Sequence, residues 1–232
     1  MDPADLRAQL EDDLAWRLDE LRHLRNQLIG ALGRDQWPIA SMRAILVMQY
    51  AHLEGFSHNA FSLYVDAINT CRLDAKALHP HLFATALVPE FDAVRLGAGG
   101  DQESEHGRLT RRARSQVAFV TKILQLSESP LTIEADAAVS MEMNFGADVL
   151  RRTLYRLGIP ESEVSKHYYE SLEFVRRTRN DIAHGSRKEK IEPGLFDAHR
   201  RKCEQFMNDL ARLISRAIAN EWYKADAFSP AS

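Results

Sequence analysis

The stretch Ile39–Asn69, IASMRAILVMQYAHLEGFSHNAFSLYVDAIN, most constrains how this chain folds. Wound as a helix, it is apolar on nearly every face. A helix without a polar side belongs in the middle of a bundle, ringed by others. Two such neighbours are visible. Leu6, Leu10, Leu14, Leu18, Leu21, Leu24 and Leu28 recur at steps of three and four, one face of a long N-terminal helix ending near Gly30–Gly33. Phe196, Phe206, Leu210, Leu213, Ile214, Ala217 and Ile218 form the stripe of a final helix over Leu195–Tyr223, which Pro193 precedes. Pro38 suits the opening of the central helix.

Between these lie shorter pieces. Pro80–Leu87 reads as a short helix stopped before Pro89. Gly97–Gly107, GAGGDQESEHG, reads as a mobile loop. Helix resumes over Arg108–Leu126, opening with Arg108, Arg111, Arg112 and Arg114. Those charges oppose the helix dipole, so they meet either the acidic loop before them or phosphate. Pro130–Val139 reads as irregular. Phe145–Leu157 is helical and stops at Gly158–Ile159–Pro160, and another helix runs Ser162–His184 with Tyr169, Leu172, Val175 and Ile182 inward. No segment is rich in strand signals. The chain reads as all-α and as a single domain over residues 1–232.

Charge and cysteine usage narrow the setting. A formal net charge of −3 supplies no global attraction to nucleic acid, so any anion site is a local patch. Cys71 and Cys203 are far apart with no CxxC spacing, which fits a reducing compartment and two buried thiols. The acidic start MDPADLRAQLEDD is no signal peptide, and no apolar run reaches membrane-spanning length. A cytoplasmic protein without a membrane partner is expected. Glu54 interrupts the central helix, and a buried carboxylate needs a partner. His58, four residues on, can supply it; a supporting place at an active site is the alternative. The pair His79 and His81 offers too few ligands for a metal, and neither a metal site nor a cofactor is expected.

The chemistry-bearing stretch is Phe174–Lys190, FVRRTRNDIAHGSRKEK. A helix runs into it and stops at His184–Gly185, glycine being the usual left-handed cap. At about 100° per residue, Asn180 and His184 share a face about 40° apart. Asp181, three residues before His184, shares it too. Arg179 lies about 140° from His184, yet its long side chain can converge with the imidazole on one ligand. Imidazole moves protons near neutral pH and guanidinium grips phosphate oxygens in a fork.

The string RNDIAHG, with YAHLEGF at Tyr50–Phe56, NFGADVLRRTLYRLGIP at Asn144–Pro160 and IANEWY near the end, resembles the HEPN superfamily, in its prokaryotic MAE-type group. The likeness covers most of the chain from the second helix onward. It implies a helical bundle with long N-terminal, central and C-terminal helices. It also implies a metal-independent endoribonuclease, a toxin or phage-defence effector, in which two motif copies meet across a homodimer interface. Arg179 would then stabilise phosphate, His184 would transfer protons, and Asn180 would orient His184 or the RNA. Glu54 and Asp181 would support them, and Arg176, Arg177, Arg187 and Lys188 would contact the RNA backbone. An antitoxin or defence partner would restrain the enzyme. Ser186 stands where some HEPN toxins carry a Tyr that a partner nucleotidyltransferase modifies, so that control is not implied. Other HEPN-like domains bind protein or nucleotide without cleavage, which is the alternative.

Overall fold

The computed structural model describes residues 2–96, 105–126, 130–139, 144–185 and 191–227. Helices dominate, and among the described residues there is no strand, only two isolated bridges, Asp74 with Pro130 and Leu78 with Lys224. Helix α1 (Pro3–Ile29) starts on Asp2, whose side chain accepts from Ala4 N, with Pro3 in its first turn. Helix α2 (Ile39–Thr70) begins immediately after Pro38.

The neighbours of α2 explain its lack of a polar face. It packs against α1, against α8 (His167–Ala183) and against α9 (Pro193–Ala219), and α9 also touches α1 and α8. Tyr50, Leu53, Phe56, Phe61 and Tyr64 of α2 are all buried. The expected stripes point inward: Leu6, Leu10, Leu14 and Leu21 are buried, while Leu18, Leu24 and Leu28 pack against the core's edge. The inward stripe of α9 is buried throughout. Its N-terminus is capped by Glu192, whose carboxylate accepts from Gly194 N at 2.9 Å and Leu195 N at 2.6 Å.

Smaller elements close one flank: α3 (Pro80–Ala86), α4 (Val88–Leu96), α5 (Glu105–Leu126), α6 (Ala135–Ala138) and α7 (Ala147–Arg156). Three differ from the pattern reading. Helix α3 stops before Pro89 as expected, but α4 follows at once, with Pro89 in its first turn, where its missing N–H costs nothing. Helix α5 begins at Glu105, three residues earlier than the arginine run suggests, since glycine near a helix start weakens but does not prevent it. Thus residues 105–107 of the expected loop are helical, and its remainder, 97–104, lies outside the described residues. Within Pro130–Val139, expected to be irregular, Ala135–Ala138 form α6, and the extended residues before it are pinned. Asn69 donates to Ile133 O and accepts from Ile133 N, each at 2.9 Å, so Leu131 and Ile133 enter the core.

The cysteines separate. Cys203 is buried in α9, where burial pushes its thiol up to about 12, whereas Cys71, just past the end of α2, is exposed and not the buried thiol expected. Both are free.

Candidate functional site

Helix α8 ends as its sequence implies. His184 is the capping residue, its N–H bonded to Asn180 O, and Gly185 follows with φ +66°. That left-handed turn suits glycine and halts the helix with the polar residues at its rim.

Arg179 is turned inward from this rim. Its guanidinium carbon lies 4.5 Å from the centre of the Tyr50 ring on α2, within range of a cation–π contact. One N–H donates to Asn180 Oδ1 at 2.9 Å, and Asn180 Nδ2 donates to Asn144 Oδ1 at 3.0 Å. The Tyr50 hydroxyl donates to Glu54 Oε1 at 2.9 Å, and the same oxygen accepts from Phe145 N at 3.3 Å. Burial, then the bond and charge of Glu54, raise the Tyr50 pKa, which keeps the hydroxyl a neutral donor. Glu54 therefore pairs one turn back, with Tyr50, and not forward with His58, which is exposed.

The Asn180 side chain thus bonds Arg179 and Asn144 and not the His184 imidazole; Asn180 meets His184 only through its backbone carbonyl and the His184 N–H. The His184 side chain is exposed and has no hydrogen-bond partner among the described residues, so its imidazole is open to a ligand. Asp181 is half-buried beside it. Arg176 and Arg177 both bond the Glu173 carboxylate, Arg177 at 2.7 Å. Bonding to Arg176 first, and to Arg177 as well, holds that carboxyl below its ordinary range. Gly146 admits this cluster closely: a Cβ there would stand 2.6 Å from Arg176 Cδ. Arg187 and Lys188, with Ser186 and Lys190, lie outside the described residues. On α5, Arg111, Arg112 and Arg114 are exposed; nothing is described of the Arg108 side chain.

No group of three or more potential metal-ligating side chains occurs among the described residues. His79 caps α3, accepting from His81 N at 3.4 Å, and His81 Nδ1 lies 2.6 Å from Tyr155 O. Both imidazoles are engaged in holding local structure. Among the described residues no helix is long and apolar enough to cross a membrane.

The family model described as HEPN_MAE_28990-like HEPN matches residues 6–223, nearly the whole chain. The chain belongs to the HEPN family. No curated protein and no solved structure matches it. The match takes in α1 from Leu6 onward, more than the motif strings reach. HEPN membership accords with the helical architecture, in which α8 carries Arg179 and His184 at its C-terminal end and packs against α2 and α9. Sequence reasoning did not nominate Tyr50 or Asn144, although both stand in the strings that carry the HEPN likeness. The available signal was Tyr50 four residues before Glu54, one turn apart on an otherwise apolar helix.

Proposed function

We propose that this HEPN protein is a metal-independent endoribonuclease that works as a homodimer. The observation that carries the reading is the pairing of a pinned cation with an open imidazole. Arg179 is held by Tyr50 and Asn180, while the imidazole of His184, five residues on at the same helix end, has no hydrogen-bond partner among the described residues. A guanidinium has five N–H groups, and Asn180 takes one, so the remainder can meet phosphate oxygens.

Cleavage of RNA through its own 2′-hydroxyl needs a base for that proton and an acid for the leaving 5′-oxygen. One chain brings one His184. A two-fold axis at the α8 end brings a second, and two Arg179 groups then face the extra negative charge on the pentavalent phosphorus. In this scheme His184 takes the proton and its symmetry mate returns one. Asn180, Tyr50 and Glu54 position Arg179, Asp181 lies beside His184, and Arg176, Arg177, Arg187 and Lys188 meet the backbone on either side. Unrestrained RNA cleavage harms its host, so a toxin or phage-defence role in the cytoplasm, held in check by a partner protein, goes with the reading.

The test is cleavage of a labelled RNA in EDTA by wild type, His184→Ala and Arg179→Ala proteins. Cleavage by wild type alone, with all three equally folded, is expected. Strict dependence on a divalent metal overturns the mechanism. Failure of wild type to cut any RNA favours the non-catalytic HEPN binding module.

A further inference from the structure

Where α7 ends, a cleft of about 560 Å³ opens against the start of α3, a volume suited to one small ligand. None of the residues proposed for phosphodiester cleavage lines it. Its walls carry His79, His81, Arg151, Arg152, Tyr155 and Glu161.

Tyr155 is the outlying feature. It is 70% exposed, although it is a large aromatic residue on a helix that otherwise buries its apolar side. Its ring leans on the His81 ring, centre to centre 4.3 Å, and the rest of it faces solvent. The support is built in. His81 Nδ1 lies 2.6 Å from the Tyr155 carbonyl oxygen, which can only accept, so Nδ1 carries the hydrogen. In the neutral ring Nε2 then presents a lone pair. Gly158 has φ +69°, and a Cβ there would stand 2.8 Å from His79 Nδ1, so only glycine seats the loop against that ring. Arg151 is fixed by Glu161 at 3.0 Å and Asp148 at 3.3 Å, with its guanidinium 4.3 Å from the Tyr169 ring centre. It is a wall of the cleft more than a phosphate clamp.

An open aromatic face, a lone pair on His81 and a carboxylate on Glu161 fit a flat heterocycle whose edge donates hydrogen bonds. We propose that this cleft binds a nucleobase bearing an exocyclic amino group, stacked on Tyr155. A purine is the best match, for its stacking area and its amine, with adenine the simplest probe; uracil has no such amine. The base belongs either to a free nucleotide or to an RNA strand. Tyr169, against which Arg151 rests, is ten residues before Arg179 on α8, or about 15 Å along the axis. A strand cut at the motif would span that gap in a few nucleotides. This last step rests on the ribonuclease reading; base binding itself does not.

Full-length His184→Ala protein, which leaves RNA uncut under the ribonuclease reading, is titrated with AMP and UMP by calorimetry and with a dye-labelled oligoadenylate by anisotropy. AMP is expected to bind more tightly than UMP. Tyr155→Ala is expected to weaken AMP about tenfold or more, and Tyr155→Phe to stay within about twofold. An oligoadenylate that weakens by the same factor identifies a strand subsite; one that is indifferent to Tyr155 identifies a free nucleotide as the ligand. No binding of AMP at millimolar concentration, or equal binding by Tyr155→Ala, overturns the assignment. Tyr155-dependent AMP binding by a wild-type protein that cuts no RNA keeps the cleft and rejects the nuclease; RNA cleavage with no AMP binding does the reverse.

Discussion

Two substitutions at Tyr50 separate the two jobs of that side chain. Tyr50→Phe deletes the hydroxyl and leaves the ring under Arg179. The hydroxyl is buried and bonds a carboxylate at 2.9 Å, and the other donor to that oxygen, Phe145 N, is longer at 3.3 Å. Bonds to charged groups contribute about 1.5–3 kcal/mol, so Tyr50→Phe is expected to lower stability by about 2 kcal/mol with little effect on cleavage. Tyr50→Leu removes the ring as well. Arg179 is half-buried, which puts its cation–π contact between the exposed and desolvated limits, at about 1 kcal/mol. That corresponds to about a fivefold loss in the fraction of correctly placed guanidinium. A composite centre uses two copies of Arg179, so the factor enters twice, for about a 25-fold loss of cleavage rate. Urea unfolding reads the first effect and initial cleavage rates at neutral pH read the second. If Tyr50→Phe loses as much activity as Tyr50→Leu, the ring is not what positions Arg179. If Tyr50→Leu cleaves at the wild-type rate, the inward guanidinium has no role in the chemistry.

Other outcomes follow from neighbouring observations. Gly146→Ala places a methyl group 2.6 Å from Arg176 Cδ and is expected to cost about 1 kcal/mol. Arg176→Ala in the same chain should recover most of that loss, and a double-mutant cycle that finds the two additive refutes the contact. In a thiol-reagent titration, native protein should show one fast group, Cys71, with Cys203 reacting only after denaturation, since it is fully enclosed. Burial lowers the pKa of His52, His79 and His199, so below about pH 6.5 the unfolded chain binds more protons than the folded one and stability drops with pH. A urea midpoint lower at about pH 5.5 than at about pH 8 is expected, and an unchanged midpoint counts against neutral buried imidazoles.

The long helices were legible because their apolar residues keep helical spacing over many turns. Leu6 to Leu21 and Phe196 to Ile218 needed no tertiary information to be assigned an inward face. Short elements were not. Pro89 marked the stop of α3, but α4 beginning around it was not legible, because α4 packs against α5, a partner further along the chain. Cys71 and Cys203 look alike in sequence, but one sits where α2 leaves the core and the other in mid-helix beneath α8. Glu54 was recognisable as a carboxylate in need of a partner, with candidates one turn away in either direction. The rotation of α2 in the bundle buries Tyr50 and exposes His58, and Phe145 N arrives from another segment.

By itself the amino-acid sequence determined that this chain forms a helical bundle around Ile39–Asn69, and that Arg179, Asn180 and His184 sit at a helix end stopped by Gly185. Those are consequences of local periodicity and glycine's conformational freedom, which act over a few residues. Only the tertiary structure decided that Arg179 lies on the Tyr50 ring, that Asn180 links it to Asn144 and that His184 is left open. These contacts join residues far apart in the chain, and their geometry depends on how α8 docks on α2, a relation set by packing that no local pattern encodes.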